Sequence, residues 1–198
     1  MFLCTMPNLQ KSLDIFPKVC YNIVKEGARK PHTERGTIMS VKIYFDMDGT
    51  VADFYGQTDW LERLRNEQSG AFAACKPLFN RARFGAVISR LLAIGVQFGV
   101  ITWLPMDASP EYEEICTAEK KEWCAAYLPF ISEFTAQSYG VPKQKAIKKH
   151  ASTEILIDDN MEVCKRWKTA KQRDFSLVSG YFDSVCDALE EIADEMGA

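Results

Sequence analysis

The chain has 198 residues, 47% hydrophobic and 26% charged, with a formal net charge of −3. That length suits one domain with a good core and a small appendage. The charge balance leaves no electrostatic footprint for generic nucleic-acid binding, and no apolar run approaches the ~20 residues of a membrane span.

Residues 1–39 differ from the rest. They carry six Lys or Arg against three Asp or Glu, a net of +3, so the remainder carries −6. Pro17 is placed to open a short helix through Val24, and residues 29–37 read as a polar linker. Met39 stands just before the first core strand. The segment is expected to be a dispensable extension, with a docking or targeting arm as the alternative. The opening Met1-Phe2-Leu3-Cys4-Thr5-Met6-Pro7 breaks too early for a signal-peptide apolar region.

From residue 41 strand and helix patterns alternate. Residues 41–46 read as the first strand. Residues 55–80 interrupt the alternation: Trp60, Leu61 and Leu64 suggest a short helix from Asp59, and Pro77 breaks the stretch after it. The spacing of Phe84, Val87, Ile88, Leu91 and Leu92 predicts an amphipathic helix over 81–93, closed by Gly95. Strand 96–102 comes next, then a helix over 111–127 between Pro110 and Pro129. Strand 131–137, a short helix over 142–150, strand 154–157, a helix over 161–168 and strand 175–178 continue the pattern. Asp183 or Ser184 is expected to cap a last helix bearing Val185, Leu189, Ile192 and Met196. The alternation implies an α/β fold, a doubly wound, Rossmann-like parallel sheet with helices on both faces.

The seven cysteines (Cys4, Cys20, Cys75, Cys116, Cys124, Cys164, Cys186) form no Cys-x-x-Cys pair. With only His32 and His150 beside them, the pattern argues against a zinc site. It favours buried, reduced thiols and a cytoplasmic protein.

Four aspartates carry most of the functional information. Asp46 and Asp48 follow the apolar run Ile43-Tyr44-Phe45, and Asp158 and Asp159 follow Ile155-Leu156-Ile157. Each pair emerges at a strand's carboxyl end, the edge where open α/β sheets bind ligands. Facing carboxylate pairs repel unless a cation lies between them. A histidine-free oxygen cluster suits Mg²⁺, which shares its shell with water and substrate phosphate.

Chemistry can be assigned to these positions. Asp46 is placed to attack phosphorus as a nucleophile. Asp48, two residues on and turned by Gly49, is placed to protonate the leaving oxygen and then deprotonate water. Thr102 ends the second strand, where its hydroxyl would hold a phosphoryl oxygen or merely cap the backbone. Lys143 stands at the start of the short predicted helix, where dipole and lysine both favour phosphate. Lys145 is its possible substitute, while Lys148 and Lys149 read as a solvated face.

The order Asp-x-Asp-Gly-Thr, strand-end Thr, helix-start Lys and Asp-Asp resembles the haloacid dehalogenase superfamily of phosphotransferases, over residues 41 to about 195. The resemblance implies Asp46 as nucleophile and metal ligand, Asp48 as acid/base lending its backbone carbonyl to the metal, Thr102 and Lys143 as phosphoryl-binding groups, and Asp158 and Asp159 around Mg²⁺. It implies a phosphatase using an aspartyl-phosphate intermediate. Phe45-Asp46-Met47-Asp48-Gly49-Thr50-Val51-Ala52-Asp53-Phe54 is similar to the 5'(3')-deoxyribonucleotidase branch. By that similarity Phe54, Gly49 and Trp103 would contact substrate, with Phe54 flanking a nucleobase; the alternative for Phe54 is a core position. The chain departs from the branch at Trp103-Leu104, where the branch carries a polar pair.

The spacing from Asp46 to Thr102 leaves about 25 residues for a cap, a helical flap at 55–80 rather than a domain. The expected activity is therefore Mg²⁺-dependent phosphomonoester hydrolysis of a small phosphorylated metabolite, a nucleoside 5'-monophosphate first (a 5'-nucleotidase). A sugar phosphate, cofactor phosphate or polynucleotide end is the alternative substrate. A non-catalytic binding protein on the same fold is the rival from another class. Neither a membrane nor a long nucleic acid is an expected partner.

Overall fold

The computed structural model describes residues 40–171 and 174–198; the extension read over 1–39, including Cys4 and Cys20, lies outside the described residues. Strands β1 (Val41–Phe45), β2 (Gln97–Trp103), β3 (Glu133–Gln137), β4 (Thr153–Asp158) and β5 (Phe175–Leu177) form one parallel sheet in the order β3-β2-β1-β4-β5. The chain steps outward from β1 to β3 on one side, then returns to build β4 and β5 on the other. This is the Rossmann-like α/β architecture that the strand–helix alternation predicts, and the order of strands reverses beside β1, at the β1–β4 boundary.

Alternation along the strands divides the core. Ile43, Phe45, Phe98, Val100, Ile155 and Ile157 point to one face, into a cluster shared with α2 (Arg81–Ala93), α3 (Pro110–Tyr127) and α5 (Ser184–Met196). Tyr44, Ile101 and Leu156 point to the other, against Val163 and Trp167 of α4 (Met161–Lys171). Burial on both faces explains why the strands read as continuous apolar runs.

Helix ends follow local chemistry. Asn80 caps α2, its side chain accepting from the N–H groups of Ala82 and Arg83, worth about 1 kcal/mol. Gly95, at φ 87°, ends the helix, with its N–H donating to Leu92 O and that of Val96 to Leu91 O, the paired bonds of a Schellman turn. Ser109 caps α3 through Tyr112 N–H. Asp183 stands at the α5 N-cap as expected, but in a left-handed conformation with no capping bond. Its carboxylate instead accepts from Asn80 N–H at 2.5 Å, tying the starts of α2 and α5 together.

The short helix predicted over 142–150 is only a 3-10 turn, Lys143–Ala146. Lys143, Ala146 and Ile147 are all buried. Ile147 adopts extended backbone, which turns its side chain onto the α4 face of the core. The helix dipole expected behind Lys143 is therefore missing.

The stretch 55–80 lies between β1 and α2. Leu78 N–H donates to Val51 O and Asp53 N–H to Lys76 O, both at 2.8 Å, and these antiparallel contacts pinch its base. It holds the helix α1 (Trp60–Arg65) and is fastened to α3. The Glu119 carboxylate accepts from the N–H groups of Gly70 and Phe72, Tyr112 Oη donates to Gln68 O at 3.0 Å, and Trp123 Nε1 to Cys75 O at 2.9 Å. No helix among the described residues is long and apolar enough to cross a membrane. Cys75, Cys116, Cys124, Cys164 and Cys186 are free and buried, as expected.

Candidate active site

Asp46 directly follows β1, and its N–H donates to Ile157 O at 2.9 Å, extending the β1–β4 ladder. Asp158 is the last residue of β4. Two carboxylates are thus delivered side by side at the switch point. Asp159 joins them, so that one carboxylate oxygen from each of Asp46, Asp158 and Asp159 lies within 4.8 Å of the others. Thr50 fixes Asp159, accepting from its N–H at 3.1 Å and donating to its Oδ1 at 3.3 Å. Asn160 starts α4 by accepting from the N–H groups of Glu162 and Val163.

Asp46 and Asp48 open into a cavity of about 450 Å³. Trp103, Tyr55, Tyr139, Leu104 and Met106 line it with α1, and Arg65 is the one basic side chain among its described lining residues. Phe54 also lines it but is only 2% exposed, stacked on Phe72 at 4.7 Å. The aromatic surface left open belongs to Tyr55 and Tyr139, exposed 54% and 52%. Trp103 forms the wall between Tyr139 and the site. Its ring centroid is 5.1 Å from that of Tyr139 and 5.3 Å from Lys143 Nζ.

Gly49 has a backbone role. It sits at φ 80°, and a Cβ there would lie 2.7 Å from Asp159 Oδ2 and 2.8 Å from the Tyr55 ring. Only glycine allows that turn and that approach. Gly49 is buried and does not line the cavity, so the substrate contact expected of it is replaced by this structural duty.

Lys143 is 2% exposed, with Nζ 2.5 Å from Asp46 Oδ1 and 2.6 Å from Asp158 Oδ2. Lys145 is exposed, which settles which lysine enters the cluster. Burial disfavours the Lys143 charge, but Asp46 and Asp158 outweigh it and hold its pKa above the ordinary value. Burial, followed by the Asp46 charge, raises Asp158 from 3.8 to about 7 and Asp159 from 3.8 to about 6.

A second lysine was invisible to the motif reading. Lys120, on α3, is 0% exposed. Its Nζ donates to Asp48 Oδ2, to Thr102 Oγ1 at 2.8 Å and to Trp103 O at 3.0 Å. Burial, opposed by Lys120, raises the Asp48 carboxyl. Thr102 is fully buried behind the cavity wall, its hydroxyl engaged by Lys120. Spacing offered a signal: Tyr112, Cys116, Lys120, Trp123 and Cys124 all lie on the buried face of α3.

Four carboxylates and two ammonium groups give the site a formal charge of −2 when all are ionised. An oxygen-only donor set with that excess fits a hard divalent cation such as Mg²⁺. Linkage makes this testable without turnover. A carboxyl whose folded pKa lies above its unfolded value costs stability as pH rises between the two. Asp158 and Asp159 should therefore weaken the metal-free fold from about pH 4 to about pH 7, and a cation should relieve that cost most at the upper end. Mg²⁺ at 100 times its Kd stabilises by about 2.7 kcal/mol, or roughly 5–10 °C in Tm for a chain of this size. Thermal melts should show a larger Mg²⁺-induced rise at about pH 8 than at about pH 5. Equal or absent rises would count against the Asp46–Asp158–Asp159 site.

Comparisons with protein-family models, with curated proteins and with solved structures find no match for this chain.

Proposed function

We propose that the chain is a Mg²⁺-dependent phosphomonoesterase of haloacid dehalogenase type, with Asp46 as nucleophile and residues 55–80 as its cap. The observation that carries this reading is the convergence of Asp46, Asp158 and Asp159 around Lys143 at the switch point, beneath a cavity that Asp46 and Asp48 also line. A non-catalytic role would be favoured by a remote Asp46 or by separated aspartate pairs; Asp46 lines the cavity and clusters with Asp158 and Asp159, which supports the catalytic reading.

In this mechanism a carboxylate oxygen of Asp46 forms a bond to phosphorus as the ester P–O bond breaks. Asp48 gives its proton to the leaving oxygen, then takes one from the water that hydrolyses the aspartyl-phosphate. Lys143 and the backbone beside Thr102 hold the phosphoryl oxygens, while the Thr102 hydroxyl is engaged by Lys120. Mg²⁺, held by Asp46, Asp158, Asp159 and the Asp48 carbonyl, would supply charge neutralisation at the transferring phosphoryl group.

A nucleoside monophosphate is the first substrate class. What supports it is the aromatic wall of Tyr55, Trp103 and Tyr139, with Phe54 packed behind, which suits the face of a base. Phosphate release from nucleoside monophosphates and sugar phosphates, with Mg²⁺ and with EDTA, tests both parts. Mg²⁺-dependent release favouring nucleotides is the expected result. Preference for another ester would retain the chemistry and discard the nucleotide. Full rates in EDTA would remove the metal.

A further inference from the structure

Besides Asp46 and Asp48, two charged side chains line the cavity: Arg65, the last residue of α1, and Asp107, in the loop between β2 and α3. One clasp sets them near each other. The Glu67 carboxylate accepts from Ser109 N–H and from Ser109 Oγ, both at 2.7 Å. The chain two residues beyond Arg65 is thus bound to the chain two residues beyond Asp107. Glu67 and Asp107 both adopt left-handed backbone, at φ 49° and 57°, a costly conformation that recurs in ligand clamps. Despite their opposite charges, Arg65 and Asp107 make no salt bridge and no side-chain hydrogen bond with each other or with another of the described residues. A five-donor fork and a two-oxygen acceptor therefore line one cavity with their bonding capacity unspent. The described wall beyond these four charged residues is apolar or aromatic.

A ligand that satisfies this wall is flat, and it offers acceptors to a guanidinium and donors to a carboxylate. Guanine does both at once. Its O6 and N7 accept side by side, the pair that arginine reads as a fork. Its N1–H and N2–H donate side by side and match the two oxygens of a carboxylate. Adenine and cytosine present one exocyclic amine without a neighbouring donor, and uracil one ring N–H. We infer that Arg65 and Asp107 are specificity residues for a guanine nucleotide, Arg65 donating to O6 and N7 and Asp107 accepting from N1–H and N2–H, with the phosphoryl group at Asp46. The inference rests on the phosphatase reading of the site and narrows its nucleotide class. Both side chains are exposed, so the base is read at the mouth of the cavity, where discrimination is moderate.

Two analogues remove one edge each. Inosine monophosphate lacks N2, and 7-deaza-GMP lacks N7, while both keep the shape of GMP. In the wild type kcat/KM for GMP should exceed that for either analogue by about tenfold. Asp107→Asn, which retains a residue type tolerant of left-handed backbone, should erase the preference over inosine monophosphate and keep the preference over 7-deaza-GMP. Arg65→Met should do the reverse. A general loss of binding would not give that crossed pattern. A wild type that treats the three nucleotides alike, or variants that lose both preferences or neither, would overturn the Arg65–Asp107 role and leave the phosphatase reading standing. Guanosine, which carries no phosphate, separates base recognition from turnover. Trp60 and Trp103 line the cavity, so its binding should quench tryptophan emission, more than inosine does in the wild type and equally in Asp107→Asn. Guanosine selectivity without phosphate release from any ester would keep the base site and overturn the phosphatase. Release without guanosine selectivity would overturn the base site alone, and the absence of both would overturn the two together.

Discussion

Asp46→Asn is expected to abolish phosphate release in a protein that stays folded. Among the described residues, Asp46 is the one member of the three-aspartate cluster that also lines the cavity, and an amide cannot form the bond to phosphorus. Removing the nucleophile from a set of groups that act together should cost at least ~10⁴-fold. The fold should survive, because the bond from residue 46 to Ile157 O is a backbone bond. Lys143 also keeps Asp158 at 2.6 Å, and the substitution removes one charge from a cluster that carries an excess. Single-turnover phosphate release, with a thermal melt on the same sample, checks both halves. A variant with near-normal release would remove Asp46 as nucleophile.

The sheet and the acidic cluster were legible for the same reason. Strands buried on both faces read as unbroken apolar runs, and Ile43–Phe45 and Ile155–Ile157 each hand directly to an aspartate. Their adjacency in the sheet then comes from the β1–β4 pairing, which no single segment encodes. Lys120 was hidden by its neighbours: Glu119, Lys121 and Glu122 make the stretch read as a solvated charge run, whereas its spacing to Tyr112, Cys116 and Trp123 places it inside. Phe54 shows the converse. The motif pointed it at substrate, but stacking on Phe72 and edge contacts with Tyr55 and Trp60 occupy its ring. Lys143, Ala146 and Ile147 keep the i, i+3, i+4 spacing that reads as a helix, yet only the 3-10 turn Lys143–Ala146 forms, with Lys143 held by partners distant in sequence, Asp46 and Asp158. Asp183 stood in a capping position, yet a tertiary bond to Asn80 N–H took its carboxylate.

Lys143 is where stability and chemistry meet, and Lys143→Met separates them. The lysine is buried between Asp46 and Asp158, so its loss leaves two nearby carboxylates with no cation between them. Breaking a buried pair from one side costs about 3–5 kcal/mol, which is roughly 6–20 °C in Tm for a chain of this size. The cost should be greatest at alkaline pH, because Asp158 is already raised to about 7 with the lysine in place, and removing the lysine raises it further. Protonation then relieves the repulsion as pH falls. Mg²⁺ should restore much of the lost stability by supplying the missing charge, but it should not restore activity. A donor aimed at the transferring group contributes about 10²–10³ in kcat, and methionine offers none. Adding Asp46→Asn to Lys143→Met should raise stability above that of the single lysine variant, since it removes one of the two uncompensated charges. Urea unfolding of the three variants, with and without Mg²⁺, reads the whole pattern. An unchanged midpoint for Lys143→Met in the absence of metal would mean that the lysine does not balance the cluster, and its place in the site would then have to be explained by phosphate binding alone.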